Sequence, residues 1–191
     1  MEANIAVAKP ICRWVCWAVL VAAIVGLIVG IYLAYRFTID RAESFNDPAM
    51  QFKYGSTGGD KNFGIPYAIW EVLPQMFPEY MPKGREDQGW AAFGFVYDEN
   101  DKDQLPHHRP IGTSFRNYMG VERIFLNCAV CHAGTLRTSA NGEHRVYLGM
   151  PANLVDLQAF QDFIINAALD ERFTPDYILA DFRNTGPGSH V

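Results

Sequence analysis

Hydrophobic positions are spread unevenly along this chain. From Trp14 to Tyr35 (WVCWAVLVAAIVGLIVGIYLAY) 22 consecutive residues carry no charge, and Arg13 and Arg36 bound the run. A helix rises about 1.5 Å per residue, so the run covers roughly 30 Å, the thickness of a bilayer's hydrocarbon core. Trp14 and Trp17 stand at one end and Tyr32 and Tyr35 at the other, as at the two interfaces of a membrane. The pattern predicts a transmembrane helix. Core helices rarely run this long without charge, and a cleavable leader would have a shorter apolar region of about 7–15 residues. Leu33-Ala34-Tyr35-Arg36 is also a poor cleavage site, so the segment is expected to stay as an anchor.

Beyond the anchor the pattern is broken into short pieces. Phe37 to Tyr54 reads as an amphipathic exit segment interrupted at Pro48, and Gly55 to Asn62 (GSTGGDKN) as a flexible turn. Ile65 to Met76 is apolar and predicts a short helix bounded by Pro66 and Pro74. Trp90 to Tyr97 alternates small and aromatic residues, as a strand or a packed loop would. A helix is predicted from Leu154 to about Leu169, capped by Asn153, with Leu157, Phe160, Ile164 and Ala168 on one face. Pro175 opens another short helix. These pieces predict a fold that is mainly α with long irregular loops. The expected organisation is a cytoplasmic N-terminus (1–13), the anchor (14–35), an exit segment and linker (36–62), a soluble domain (63–183) and a tail (184–191).

Composition narrows the class. The 191 residues are 49% hydrophobic, 14% aromatic and 19% charged, too apolar for disorder. The net charge of -5 argues against nucleic acid as a partner, since phosphate binding needs clustered Lys and Arg. From Arg36 onward 14 basic residues face 20 acidic ones. The run Asp98 to Asp103 (DENDKD) reads as a solvated charged loop, because it lacks the glycine and terminal glutamate of a calcium-binding EF-hand. Within the anchor, Gly26 and Gly30 form a GxxxG that would admit a neighbouring helix, such as that of another membrane subunit.

The chemistry is carried by Cys128-Ala129-Val130-Cys131-His132, a CxxCH. That spacing is the attachment signature of haem c. On one helical turn each thiol can form a thioether to a haem vinyl group, and the adjacent imidazole can bind the iron. A zinc half-site and a thioredoxin-like redox pair compete with it. Zinc needs a second Cys or His pair at matching spacing, and a redox CxxC follows a strand and opens a helix in a thioredoxin pattern. Neither pattern occurs in the soluble part. The other two cysteines, Cys12 and Cys16, lie at the membrane edge, so no disulfide is expected. His132 is the expected proximal ligand. For the sixth position Met150, Met119, His107, His108 and His144 are all candidates, and Arg137 and Arg145 are candidate partners of the haem propionates. Lys9 and Arg13 against Arg36 and Arg41 leave the orientation undecided. Haem attachment to CxxCH occurs outside the bacterial cytoplasmic membrane, which implies a cytoplasmic N-terminus and a periplasmic domain.

Further segments carry a family resemblance. Phe52-Lys53-Tyr54-Gly55-Ser56, Gly64-Ile65-Pro66-Tyr67-Ala68-Ile69-Trp70, Val72-Leu73-Pro74, Pro110-Ile111-Gly112, Asn127 to Thr135 and Gly149-Met150-Pro151-Ala152 resemble the large c-type cytochromes related to di-haem cytochrome c peroxidases and rubber oxygenase. The similarity runs from about Gln51 to Phe173, against the first-haem half of those proteins. It implies Cys128 and Cys131 as attachment points and His132 as proximal ligand. Members of that family carry a second CxxCH, which this chain lacks, so their two-haem peroxidase chemistry does not transfer. The expected function is a membrane-anchored mono-haem cytochrome that carries single electrons to redox partner proteins, as a subunit of a larger complex. A haem enzyme completed by another chain, and an accessory structural subunit with haem, are the alternatives.

Overall fold

A computed structural model describes residues 5–140, 142 and 144–185 of the chain. Helix α1 (Ile5–Thr38) contains the apolar run and is one helix long and apolar enough to cross a membrane. None of its apolar window is buried against the rest of the chain, so it is not a core helix of this fold. Gly26 and Gly30 have no other group near them, and the small-residue face is open. The Cys12 side chain and the last six residues of the tail lie outside the described residues.

After α1 the chain does not form a linker. Strand β1 (Asp40–Ala42) pairs with β3 (Thr113–Tyr118), and β3 pairs antiparallel with β4 (Val121–Leu126). The two-residue β2 (Ile65–Pro66) completes a four-stranded sheet in the order β1-β3-β4-β2. Helices α2 (Pro48–Tyr54) and α3 (Gly59–Phe63) fill the segment between. The side chain of Asp47 caps α2 by accepting from the Met50 N–H at 2.9 Å. In α3, Asp60 is fully buried and accepts from Arg116 Nε at 2.8 Å. Residues 39–62 are therefore part of the folded domain, a correction to the exit segment and linker expected at 36–62.

Helices make up most of the regular structure, as expected, and the sheet is what the expectation lacked. At the β3–β4 turn both Met119 (φ 51°) and Gly120 (φ 76°) have positive φ, the conformation of a two-residue hairpin turn. Asn-Gly is the usual signal for such a turn, and here Met occupies the first position. A second antiparallel hairpin joins β5 (Ala133–Leu136) to β6 (Arg145–Leu148).

The main core lies between α4 (Tyr67–Met76), α6 (Leu157–Leu169) and the inner face of the sheet. Trp70 and Trp90 stack at 3.9 Å, with Phe93, Phe95, Phe160 and Phe163 packed around them. Pro74 sits inside α4 rather than ending it. A proline has no N–H for the carbonyl four residues back, and that carbonyl, Trp70 O, accepts from the Trp90 indole at 3.2 Å instead. Trp90 itself follows a kink at Gly89 (φ 52°) that divides the 3₁₀ turns between Glu86 and Phe93, and Gly94 closes them in the left-handed region. Helix α6 starts at Leu157 and is capped by Asp156, whose carboxylate accepts from the Ala159 N–H at 2.9 Å. Its buried positions are Phe160, Phe163 and Ala167, whereas Ala168 is exposed, so the inward face is rotated from the expected one. Helix α7 (Pro175–Thr185) opens at the expected proline.

Candidate functional site: the Cys128–His132 turn

The turn grows directly out of β4, so this CxxC does follow a strand and open a short helix, a correction to the expectation that no such pattern occurs in the soluble part. Asn127 follows the strand, and helix α5 (Ala129–His132) is a single turn with Cys128 at its start. Cys128 N-caps in helical geometry, so residues 128, 131 and 132 project to one side and 129 and 130 to the other. Burial matches this division. Ala129 and Val130 are buried, while Cys128, Cys131 and His132 are exposed, and both thiols are free. Among the described residues no three His, Cys, Asp or Glu side chains converge on a common point, this trio included.

Asn127 holds the turn in place, a residue that sequence reasoning did not single out. It is buried, and its Oδ1 accepts from the Ala129 N–H at 2.9 Å. Its Nδ2 donates to Lys53 O (3.2 Å) and Gly55 O (3.1 Å) at the end of α2. The Asn127 N–H donates to Gly112 O at 2.8 Å. Gly112 has φ 89°, and a Cβ there would lie 2.4 Å from Val130 Cα, so only glycine lets the turn pack this closely. An asparagine immediately before a short helical turn is the sequence signal for such a cap.

The loop after β6 closes over the other end. The Gly149 N–H donates to His132 O (2.8 Å) and the Ala152 N–H to Cys131 O (2.9 Å). Asn153 does not cap α6. It extends β5 instead, with its Oδ1 accepting from the Thr135 N–H (3.0 Å) and its Nδ2 donating to Thr135 O (2.8 Å). Behind the turn, Phe95, Ile111, Ala129, Val130, Ala133 and Leu154 enclose a cavity of only about 10 Å³. A porphyrin does not fit inside, so any haem lies on the outer face with the thiols. On the β5–β6 hairpin that follows the turn, Leu136 (49% exposed) and Tyr147 (41%) project from the same side. The residues present therefore fit a haem held from one side.

The sixth-ligand candidates fall in different places. Met150 packs beside Gly134, whose Cβ position would be 2.9 Å from Met150 Cε. Its neighbours Gly149 and Ala152 donate to the His132 and Cys131 carbonyls, which keeps Met150 beside the turn. His144 Nδ1 is 3.1 Å from the Thr135 hydroxyl, on the same hairpin. Met119 sits at the hairpin tip, at the far end of β4 from Cys128 by about 20 Å of extended strand. His107 stacks on Tyr67 at 4.1 Å with its Nε2 3.5 Å from Glu122, near that same tip. His107 and His108 line a separate cleft of about 1010 Å³ with Trp70, Glu71, Glu86 and Tyr97. Burial, reinforced by Glu71, pushes the Tyr67 phenol at its edge up to about 12. Arg137 is exposed and donates to Ala140 O at 3.2 Å, and Arg145 is exposed opposite Leu136.

The charged loop is not simply solvated. Lys53 Nζ donates to Asp98 Oδ2 (2.8 Å) and Asp101 Oδ2 (2.7 Å), and the Tyr54 hydroxyl reaches the same Asp101 oxygen at 3.1 Å. Burial disfavours the Lys53 charge, but the bonds to Asp101 and Asp98 outweigh it and hold the ammonium above its ordinary range. Burial likewise opposes the Asp98 charge, and Lys53 and the Asn100 amide outweigh it and hold the carboxyl low. This cluster fixes α2, whose carbonyls receive Asn127. Comparisons with protein-family models, curated proteins and solved structures return no match.

Proposed function

We propose that this chain is a membrane-anchored mono-haem c-type cytochrome that carries single electrons on the periplasmic side of a bacterial cytoplasmic membrane, as a subunit of a larger electron-transfer complex. One observation carries the reading. The CxxCH forms a single helical turn with Cys128, Cys131 and His132 together on its exposed side and Ala129 and Val130 buried. Cys128 and Cys131 would hold the haem covalently and His132 would bind its iron, with Leu136 and Tyr147 against the porphyrin. A haem bound there supplies a one-electron ferric–ferrous couple. Asn127 and the Gly149–Ala152 loop keep the ligating turn fixed, which limits reorganisation at the metal. The resemblance to the first-haem half of di-haem peroxidase relatives supports the same assignment. The open small-residue face at Gly26 and Gly30 supports a helix of another subunit as partner.

A second reading, a haem enzyme completed by another chain, draws on one feature. Met119, His107 and His108 lie away from the turn, and unless Met150 or His144 filled it the sixth position of the iron would be open to solvent or a partner. Spectra separate the two. The electron-carrier reading expects a c-type α band on reduction and a one-electron reversible titration, unchanged by cyanide or peroxide. A ferric high-spin spectrum that shifts with cyanide would favour the enzyme, and absence of any c-type band would defeat both.

A further inference from the structure

The β3–β4 hairpin ends beside the membrane helix. Its turn residue Met119 donates its N–H to Ile39 O at 2.8 Å, one residue past the end of α1. Gly120 lies against Arg36, whose Nη1 would be 2.8 Å from a Cβ at that position. The tip is thus tied by its backbone to the point where the chain leaves the apolar run. Met119 (46% exposed) and Val121 (40%) present bare apolar side chains there, although neither packs on anything in this chain's core. A positive φ at Met119, uncommon for a residue with a long side chain, holds that side chain at the tip.

Near the tip the half-exposed Glu122 faces His107 at 3.5 Å, and the remaining charge is biased. Asp40 and Asp60 are taken by Lys61 and Arg116. Arg36, Arg41 and Arg123 form no ion pair among the described residues, and Arg123 and Lys61 both stand over the Tyr118 ring, at 5.5 and 5.1 Å. An exposed apolar pair ringed by unpaired arginines and a tyrosine is the composition of a surface that meets anionic lipid headgroups. From the exit of α1, β1 runs antiparallel to β3, away from the tip and toward the end of the sheet that bears Cys128.

We propose that the tip of the β3–β4 hairpin lies in the anionic headgroup layer beside the exit of α1, and that the sheet holds the Cys128–His132 turn clear of the bilayer at its other end. The proposal rests on the membrane reading of α1. It makes the hairpin a spacer that sets the height of the redox centre, about 20 Å of strand from the tip.

The chain's six methionines provide the probe. The full chain is labelled with ¹³C-methyl methionine and placed in nanodiscs of phosphatidylcholine and phosphatidylglycerol containing headgroup-spin-labelled lipid. Met119→Leu identifies the Met119 signal. The expected result is loss of the Met119 methyl signal with retention of Met50, which packs near Ala129 and Ala133, and of Met150 beside Gly134. Retention of Met119 at the level of Met50, in chain that stays in the disc, overturns the proposal while leaving the anchor intact. Release of the chain from the discs by an alkaline wash overturns the anchor and the proposal together. The Met119 loss is expected to be weaker in phosphatidylcholine alone, and equal loss in both lipids would overturn the electrostatic part.

Discussion

Asn127 is the most informative single position, because its side chain bonds the Cys128–His132 turn on one side and the end of α2 on the other. Asn127→Ala removes the acceptor of the Ala129 N–H and the donor to Gly55 O, both buried. Lys53 O is less affected, since it also accepts from the Gly112 N–H at 3.0 Å. Two buried groups are therefore orphaned, at about 1–3 kcal/mol each, so a loss of roughly 2–6 kcal/mol is expected. For a domain of this size each kcal/mol moves Tm by about 2–4 °C, which places the expected drop at about 12 °C. Thermal melts of the haem-free chain by circular dichroism measure that term. Covalent haem per chain, after expression with haem-attachment machinery, measures the second consequence: a frayed turn no longer offers both thiols and the imidazole on one side, and haem content falls. Asn127→Asp keeps the acceptor but sets a carboxylate against the Gly55 carbonyl, and should be no more stable than the alanine variant at neutral pH. Unchanged Tm and unchanged haem content in Asn127→Ala would refute the assigned role. A lower Tm with full haem content would confine Asn127 to folding and remove it from the site.

Other perturbations test neighbouring parts of the account. Gly112→Ala must place a Cβ into Val130 at positive φ, and a loss of about 2–4 kcal/mol is expected from strain and overpacking together, read by chemical denaturation. Lys53→Met leaves Asp98 and Asp101 facing each other without their cation, and the expected loss is about 2–3 kcal/mol, short of a fully buried pair. Asp98 is held low, so its contribution is present above about pH 4 and lost as pH falls further; Lys53 is held high, so its contribution is present below about pH 10 and lost above. Lys53→Met should flatten both limbs of the stability–pH curve, and limbs identical to the parent chain would show that the cluster contributes nothing. Cys128→Ser and Cys131→Ser should each retain haem through one thioether with an α band moved to longer wavelength, while the double variant should lose haem on denaturation.

The long apolar helix and the CxxCH turn were legible in the sequence because each is a local signal: an uncharged run of helical length, and three side chains within five residues. The sheet was hidden for physical reasons that can be named. Its hairpin turns on Met119-Gly120 instead of Asn-Gly, and β1 and β2 are only three and two residues long. No period can be read from such strands. Asn153 and Asp156 are both good caps in isolation, and only the pairing of Asn153 with Thr135 decides between them. The inward turn of Asp98 and Asp101 depends on Lys53, 45 and 48 residues away, and no local pattern announces it. The sixth-ligand candidates illustrate the same limit, since residue type nominated five side chains and only the fold separates Met119, His107 and His108 from the turn.

Covalent attachment of haem to the Cys128–His132 turn is the claim on which the functional reading stands. The direct test is the intact mass of the full chain, purified from a bacterium with active haem-attachment machinery and denatured before analysis. The expected result is the mass of the chain plus one haem, reverting to the bare chain in the Cys128→Ala/Cys131→Ala variant. A parent chain recovered at its unmodified mass, with both thiols free to alkylation, would contradict it.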